Sequence, residues 1–315
     1  LEIAVKSLNL KKNSEVIIPV NTWISTAEAV LNNNLKVVFC DINLDDYSMC
    51  LQDLKRKINN KTKLIMPVHL YGYPTDVNRI KKIIGKKNIK IIEDCAQAHG
   101  TTYKNKNVGT FGDVACFSFY ATKHMTTGEG GILCTNNKTI STISKSFRNH
   151  GMIDRDTHKT LGYNYRMNEI SAVIGLEQLK KLDKINSKRI KNSKYLLSKL
   201  KKIDGKWFEA QDFNSNIKHT YFWCPIKIID KKLNLDKVKK KLLQKGIEIR
   251  SRYKSPLYKQ AVIQNLKIQS SQNYKKLHLP NAEKLAGNIF GLPNHHDLKK
   301  KELDYIVESI KNINV

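Results

Sequence analysis

Residues 91–135 read IIEDCAQAHGTTYKNKNVGTFGDVACFSFYATKHMTTGEGGILCT. An apolar, β-branched run ends here in Glu93 and Asp94, and two further apolar runs follow at 113–119 and 130–135. The segment between those two runs, YATKHMTTGE, is polar, contains glycine and lacks helical periodicity. We therefore expect a loop that joins neighbouring strands, because loops held by a rigid sheet are where reactive side chains are presented.

The chain before residue 91 alternates strand and helix patterns. Helical spacing of apolar residues occurs in ISTAEAVLNN, in MCLQDLKRKI with Ser48 as its N-cap, and in the segment that follows Pro74 and Asp76 and runs to Ile84. The strand patterns are VIIPV at 16–20, KVVFC at 36–40, KLIMPV at 63–68 and IKIIED at 89–94. This alternation predicts an α/β fold with a mostly parallel sheet flanked by helices.

The C-terminal third has a different character. A long amphipathic helix is predicted from Met167 to Leu200, and shorter signals follow it. They are the strand patterns HTYFWCPIKI and GIEIRSRY, the helix patterns LDKVKKKLLQ and KKELDYIVESI, and a polar, variable-looking stretch between 260 and 280. We expect a large domain over residues 1–200 and a smaller α+β domain over residues 201–315.

The composition excludes several classes of protein. The formal net charge is +28, from 56 Lys and Arg against 28 Asp and Glu, but the lysines recur in nearly every segment. A nucleic-acid groove needs a basic stripe interleaved with aromatic residues, so we expect no nucleic-acid partner. No apolar run reaches the roughly 18 residues that cross a bilayer. The first residues also lack an export signal, and we expect a cytoplasmic protein without a membrane partner.

Common catalytic and metal-binding motifs are absent from the sequence. There is no Gly-x-Gly-x-x-Gly turn, no Walker loop and no Gly-x-Ser-x-Gly elbow. The six cysteines are widely spaced, several within apolar runs, which predicts buried free thiols. The adjacent His295 and His296 suit surface or substrate contact better than one metal ion, and we expect no metal site.

What remains is an ordered set of polar residues, Asp94, Gln97, Ser118 and Lys123. Asp94 ends one predicted strand, Ser118 lies within the next, and Lys123 follows in the loop. Open α/β sheets bind ligands at the carboxyl ends of their strands. A lone aspartate or loop lysine carries little information, so the combination and its order predict a site.

The sequence resembles the DegT-type nucleotide-sugar aminotransferases, which use pyridoxal phosphate (PLP) on the fold-type-I, aspartate aminotransferase-like scaffold. The resemblance covers nearly the whole chain. It is carried by VIIPVNTWISTAEAV at 16–30, the stretch 91–135, LGYNYRMNEISAVIGLEQL at 161–179 and LPNHHDLKKKELDYIVESI at 292–310.

The resemblance implies a role for each residue of the set. Asp94 would keep the pyridine nitrogen of PLP protonated, so that the ring can accept electrons. Gln97 would bind the ring hydroxyl, and Ser118 would bind the phosphate. The indole of Trp23 would stack on the ring. Lys123 would form the Schiff base with the cofactor and then shuttle the proton, which requires a lysine pKa lowered by burial or by a neighbouring cation.

The resemblance also implies a homodimer with shared active sites, because Asn164 matches a residue that reaches the phosphate in the neighbouring subunit. The implied reaction moves an amino group from L-glutamate to a keto-sugar nucleotide. The segment KHMTTGEGG is most similar to that of members that convert GDP-4-keto-6-deoxymannose to GDP-perosamine. Related UDP- and dTDP-sugars stay open as substrates.

The sequence departs from the family pattern in two respects, and each leaves an alternative function open. Family members begin earlier, with a helical segment and a Gly/Ser-Thr loop that holds the cofactor phosphate, whereas this chain starts at Leu1. One alternative is therefore a truncated, non-catalytic remnant, a folded basic protein that dimerises or binds anions without turnover, and the affinity of this chain for PLP stays open. Sugar dehydratases of the family replace the lysine by histidine. Lys123 is present here, but His124 follows it, and a PLP-dependent dehydratase is the more distant alternative.

Overall fold

The computed structural model describes residues 1–203, 207–210, 217–230, 232–266 and 271–313. The helices are α1 (Glu2–Ser7), α2 (Ile24–Leu31), α3 (Leu51–Lys57), α4 (Val77–Ile84), α5 (Lys138–Arg148), α6 (Glu169–Leu200), α7 (Leu235–Gln244), α8 (Ala261–Gln264), α9 (Pro280–Leu285) and α10 (Lys300–Lys311). The strands are β1 (Glu15–Pro19), β2 (Lys36–Cys40), β3 (Thr62–Ile65), β4 (Lys90–Asp94), β5 (Thr102–Tyr103), β6 (Lys106–Asn107), β7 (Val114–Ser118), β8 (Gly131–Cys134), β9 (Phe208–Ala210), β10 (Ile217–Lys218), β11 (Cys224–Ile228) and β12 (Ile289–Leu292).

A six-stranded sheet in the order β2-β1-β3-β4-β7-β8 organises the first part of the chain. All of its pairings are parallel except β7 with β8, so the predicted mostly parallel sheet is confirmed. The strands β1 to β4 are buried on both sides, because helices and connecting segments cover the two faces of the sheet. Parallel strands place their carboxyl ends along one edge, and this edge carries Asp94 and Ser118.

A second core forms around the antiparallel sheet β12-β11-β9. It contains Trp207, Phe208 and Phe290 together with apolar side chains of α7 and α10. The last turns of α6 contribute Leu196, Leu197 and Leu200 to this same core, so the long helix joins the two parts of the chain. The domain boundary at residues 200 and 201 stays a prediction.

Two short contacts tie the second part back to the sheet edge. Strand β10 pairs with β5, which follows β4 along the chain. The hydroxyl of Thr220 shares a hydrogen bond of 2.7 Å with the hydroxyl of Thr101, and both side chains are buried. These contacts bring the residues after β10 close to the carboxyl ends of β4 and β7.

Several local predictions are wrong. Helix α3 begins after Cys50, not after Ser48, whose carbonyl instead accepts a hydrogen bond from the amide of Asn43 within a tight turn. The segment 246–253 forms no strand, because only Arg250 pairs with β12, at Gly291. All six cysteines are free thiols, as predicted, but Cys134 is exposed on the outermost strand of the sheet.

The residues 267–270, within the polar stretch predicted between 260 and 280, lie outside the described residues. In the part of the chain that the structure does describe, no helix has an apolar length sufficient to traverse a lipid bilayer.

Candidate active site

A cavity of about 730 Å³ opens at the carboxyl ends of β4 and β7. Strand β4 delivers Asp94, strand β7 delivers Ser118, and the loop between β7 and β8 delivers Lys123. The other polar and aromatic side chains in its lining include Thr22, Trp23, Tyr71, Gln97, Tyr120, Phe222, Trp223, Arg250, Arg252 and Tyr253. The volume lies in the range typical of small-molecule sites.

The carboxylate of Asp94 is almost fully buried and held from two sides. The hydroxyl of Thr26 donates to Oδ2 at 2.9 Å, and the backbone amide of Ala96 donates to Oδ1 at 3.1 Å. Thr26 is itself buried, and its hydroxyl lies 2.9 Å from that of Thr22. Because α2 supplies Thr26, the segment before it supplies Thr22 and β4 supplies the aspartate, helix and sheet together fix the direction of the carboxylate.

Lys123 lies in the loop between β7 and β8, with Nζ 4.8 Å from the ring centre of Phe222. Burial lowers the pKa of its ammonium group, the charge of Asp94 opposes that shift, and Arg252 adds to it. The net result is a lowered pKa, so the amine gives up its proton more readily than an ordinary lysine does. A lysine of this kind can act as a nucleophile or base.

Gln97 sits in the segment after β4, within a group of tyrosines. Its Oε1 accepts a hydrogen bond of 2.9 Å from the amide of Tyr71, and its Nε2 donates to the hydroxyl of Tyr253 at 3.2 Å. A primary amide carries two N–H donors, so Nε2 retains one for a ligand. Tyr71 and Tyr253 adopt φ values of 58° and 57°, and such conformations concentrate at functional sites.

Trp23 and Ser118 border the same cavity. Trp23 precedes α2, and the guanidinium of Arg252 lies 5.0 Å from the centre of its indole ring. The hydroxyl of Ser118 accepts a hydrogen bond of 3.3 Å from the amide of Tyr120, which leaves its own O–H free to donate. The cavity thus combines a carboxylate, an amine, an amide, a hydroxyl and an exposed aromatic face.

A sequence model of the DegT/DnrJ/EryC1/StrS aminotransferase family matches residues 1–311. The chain belongs to this family. It is 35% identical to the GDP-perosamine synthase of Escherichia coli O157:H7, over 98% of this chain and 82% of that protein. It is similar to the X-ray structure of the aminotransferase from Psychrobacter cryohalolentis, with a TM-score of 0.90, 27% identity and coverage of 98% of this chain and 83% of the other. The structure of Escherichia coli GDP-4-keto-6-deoxy-D-mannose-3-dehydratase with bound hydrated PLP has a TM-score of 0.88 and 30% identity, and covers 98% of this chain and 84% of that chain.

Membership of the DegT/DnrJ/EryC1/StrS family confirms the predicted fold type, the aminotransferase class and the PLP cofactor. The side chains of the cavity fit that cofactor chemically. A cationic heterocycle needs a fixed carboxylate, an aldehyde needs an amine that can lose its proton, and a phosphate needs N–H or O–H donors. Asp94, Lys123 and Ser118 supply these groups on one cavity.

Five of the six predicted site residues of this aminotransferase-family chain therefore lie together: Trp23, Asp94, Gln97, Ser118 and Lys123. Asn164 does not border the cavity of its own chain. It is exposed, and its backbone pairs with that of Asn149, which directly follows α5. Its role toward a neighbouring subunit stays a prediction.

The sequence-based reasoning missed Thr26, which contacts Asp94 across 68 residues of chain. It left open whether Arg250, Arg252 and Tyr253, in GIEIRSRY, contact a diphosphate or form a surface strand edge, and did not include them among the predicted site residues. Thr26 lies in the first turn of α2, three residues after the predicted Trp23 at the N-cap, and that spacing was the available signal.

Behind Asp94, a buried pair fixes the end of β4. The carboxylate of Glu93 accepts hydrogen bonds of 2.6 to 3.0 Å from the amides of Gly109, Phe111 and Gly112 and from Nε2 of His69. His69 Nδ1 accepts from the amide of Thr75, so the neutral ring carries its proton on Nε2. With Cys95 the two side chains form a group that could geometrically hold a metal ion. Their polar atoms are, however, already satisfied within the fold, which makes this a structural node.

Proposed function

We propose that this chain is a PLP-dependent enzyme that transfers an amino group from L-glutamate to a keto-sugar nucleotide. The observation that carries the proposal is the presence of the Lys123 amine and the Asp94 carboxylate on one cavity, with the lysine pKa lowered by burial. An aminotransferase needs both groups against a single cofactor ring.

When bound, PLP supplies a positively charged ring that accepts the electrons released as a proton leaves the carbon next to nitrogen. The residues of the chain would hold that ring and move the proton. Asp94 would face the ring nitrogen, and Thr26 and the amide of Ala96 keep its carboxylate from turning away. Trp23 would cover one face of the ring, while Gln97 and Ser118 would supply donors at its edge.

Lys123 would carry the proton between the two carbon atoms involved. Its amine would accept the proton that leaves the amino acid and later donate it again, so Nζ would alternate between the neutral and the charged form. Burial and the charge of Arg252 favour the neutral form, and Asp94 stabilises the charged one. These opposing influences suit a general base that also acts as an acid.

GDP-4-keto-6-deoxymannose, which would yield GDP-perosamine, is the acceptor that we propose. The relative that is 35% identical over 98% of this chain carries the name GDP-perosamine synthase. The segment KHMTTGEGG, which suggested this acceptor, forms the loop that presents Lys123.

The dehydratase alternative is less favoured by the position of His124. Its ring is buried, Nε2 contacts the carbonyl of Thr220 at 3.2 Å, and it is not among the residues that line the cavity with Asp94. Lys123, and not His124, lines the cavity together with Asp94. This arrangement supports aminotransfer, although a dehydratase with bound PLP shares the fold at 30% identity.

A homodimer is part of the proposal. The N-terminal half of α6 exposes five apolar side chains, Ile170, Val173, Ile174, Leu176 and Leu179, which we call the α6 face. Apolar patches of this kind mark association surfaces. The α6 face lies beside the Lys123 loop, since the hydroxyl of Ser171 donates to the carbonyl of Thr127 at 3.3 Å. A second copy docked here would be close to the active-site loop.

The first test is the visible absorbance of the protein after incubation with PLP. We expect a band from cofactor bound to lysine, which borohydride removes, and its loss in Lys123→Ala. Lys239→Ala, an exposed lysine on α7, is the matched control and should keep the band. The acceptor is then identified by product mass after incubation with glutamate and GDP-, UDP- and dTDP-linked keto-sugars. A protein that binds PLP without converting any of them would favour the non-catalytic remnant.

A further inference from the structure

A second cavity, of about 740 Å³, opens on the other side of the Lys123 loop. It lies between α6, the loop after β12 and the N-terminal part of α10, and its lining includes Arg189, Asn294, His295 and Tyr305. The two cavities share a short list of lining residues: Thr122, Lys123, Phe222, Trp223 and Arg250. A molecule bound in the second cavity can therefore reach the amine of Lys123.

The wall that carries Arg189 is fixed by buried polar contacts. The guanidinium donates through Nη2 to the carbonyl of Phe222 at 3.0 Å and to Oδ1 of Asn294 at 3.4 Å. The amide of Asn294 in turn donates to Ser193 Oγ at 3.0 Å and to the carbonyl of Tyr221 at 2.7 Å. Helix α6 and the loop after β12 are thus bonded through one asparagine, which holds the arginine in place.

Arg189 keeps donors that nothing in the described chain accepts. Its Nε is buried and has no hydrogen-bond partner among the described residues. A buried donor without a partner costs free energy, unless a ligand supplies the acceptor. Because both N–H groups of Nη2 are already engaged, the guanidinium plane is fixed and the N–H of Nε has a defined direction.

Arg250 adds a second positive charge to the same cavity. It is held at the sheet edge by two backbone hydrogen bonds with Gly291, of 2.8 and 3.2 Å. Burial, and then the charge of Arg250, lower the pKa of Arg189 to about 10. Among the acidic residues that line the cavity, Glu302 is engaged by the amide of Lys299 and Glu248 is exposed. The described residues thus place two guanidinium groups near one another without a carboxylate between them.

We propose that Arg189 and Arg250 form a binding site for an anionic group of the substrate that reacts at Lys123. This inference rests on the proposed aminotransferase function and names the place where a substrate is recognised. Charge-assisted hydrogen bonds from guanidinium groups to carboxylate and phosphate oxygens are strong, and two cations that line one cavity favour such an anion. Arg189 offers its Nε donor, and Arg250 can offer a bidentate pair of donors. Both proposed substrates carry one, since glutamate has carboxylates and the sugar nucleotide has a diphosphate.

Equilibrium binding to the PLP-loaded enzyme shows whether the bound anion is the carboxylate of glutamate or the diphosphate of the sugar nucleotide. Calorimetry with 2-oxoglutarate reports on the carboxylate, and calorimetry with GDP reports on the diphosphate, both without turnover. Arg189→Gln and Arg250→Gln remove one guanidinium each, and Arg189→Lys keeps the charge but loses the Nε donor. Arg79→Gln, an exposed arginine on α4 that lines neither cavity, is the matched control.

We expect both glutamine variants to weaken the same probe by about ten- to a hundredfold, with Arg189→Lys intermediate and Arg79→Gln unchanged. The probe that is weakened identifies the anion. If neither probe is weakened, or if only one of the two arginines matters, the paired site is disproved. Thermal midpoints are measured in parallel, and if Arg189→Gln does not fold, Arg189→Lys and Arg250→Gln decide. An unmodified protein without the PLP band disproves the proposed function, whereas the same titrations on the protein without cofactor still decide whether the anion site exists.

Discussion

At the scale of single residues, the hydrogen bond from Thr26 to Asp94 is the contact that most directly prepares the site. A hydrogen bond to a charged group contributes about 1.5–3 kcal/mol. Thr26→Val has nearly the same shape but removes the donor, so Asp94 loses one of its two hydrogen-bond donors. We expect PLP to bind about tenfold or more weakly to Thr26→Val, measured by equilibrium titration of the absorbance band.

Thr26→Ser is the matched control for that experiment. Serine keeps the hydroxyl and loses only a methyl group, so its affinity for PLP should stay close to that of the unmodified protein. Equal losses in the valine and serine variants would mean that packing of α2, not the hydrogen bond to Asp94, supports the cofactor.

The Glu93 carboxylate predicts a pH-dependent stability. Burial by itself raises the pKa of Glu93, but the hydrogen bond from His69 and those from the amides of Gly109 and Gly112 lower it below its ordinary value of 4.5. A lowered pKa in the folded state stabilises the protein above the unfolded pKa, and this stability is lost as the pH falls through the folded value. Glu93→Gln should therefore flatten the decline of the urea midpoint at acidic pH.

The same variant should be destabilised at neutral pH. A glutamine in place of Glu93 presents an NH2 group to N–H donors that now meet a carboxylate oxygen. We expect a loss of about 2–4 kcal/mol in the free energy of unfolding. Glu308→Gln, on the exposed side of α10, should change it by less than about 0.5 kcal/mol. A Glu93→Gln variant as stable as this control would contradict the role of Glu93 as a structural node.

At this scale the sequence predicted the residues that stand at strand ends and missed those that reach them from elsewhere. Asp94 and Ser118 were predictable because apolar runs mark β4 and β7 and a parallel sheet aligns their ends. Thr26 and Arg189 were not, because their partners, Asp94 and Asn294, lie 68 and 105 residues away along the chain. No local periodicity encodes such contacts.

At the scale of secondary structure elements, α6 is positioned by a close approach to the segment after β4. Gly100 has a φ of 73°, and a methyl group there would lie 2.7 Å from Nδ2 of Asn186, which donates to the carbonyl of His99. Gly100→Ala should thus incur both backbone strain and a steric clash. We expect a loss of about 2–4 kcal/mol in the free energy of unfolding, measured in urea.

Gly246→Ala provides the comparison for Gly100→Ala. Gly246 follows α7 with a φ of 72°, but a methyl group there meets nothing within 4 Å. Its variant should lose about 1 kcal/mol, from the backbone alone. If the two alanine variants are equally destabilised, the contact between Gly100 and Asn186 does not position α6.

The accuracy of the element predictions follows from how each element is stabilised. KVVFC coincides with β2 and LDKVKKKLLQ with α7, because a buried apolar run and a capped amphipathic pattern are local signals. GIEIRSRY has the composition of a strand but pairs with β12 only at Arg250, and Tyr253 already has a positive φ. Its course is set by the aromatic residues around Tyr71 and Trp223, which no window of eight residues contains.

At the scale of the whole molecule, charge and apolar surface are distributed differently. The net charge of +28 is spread along the chain, whereas the largest exposed apolar side chains gather on the α6 face and at neighbouring positions such as Leu161 and Tyr165. A highly charged surface keeps molecules apart, so association requires a region where apolar burial outweighs repulsion. The α6 face is such a region, and Asn164 lies in the same part of the chain.

Disruption of the α6 face should convert the proposed dimer to a monomer. Leu176 is 62% exposed and Val173 is 61% exposed, so replacing both with glutamate leaves the folded monomer intact but places two charges where a second copy would bury apolar surface. We expect the mass from light scattering to fall from two chains to one in Val173→Glu/Leu176→Glu. Because Asn164 is predicted to reach the cofactor of the neighbouring subunit, PLP should also be retained less well.

Leu243→Glu, at a 56% exposed position on α7, is the control and should remain dimeric. A double variant that is still dimeric, or an unmodified protein that is monomeric at every concentration, would exclude the α6 face as the dimer interface.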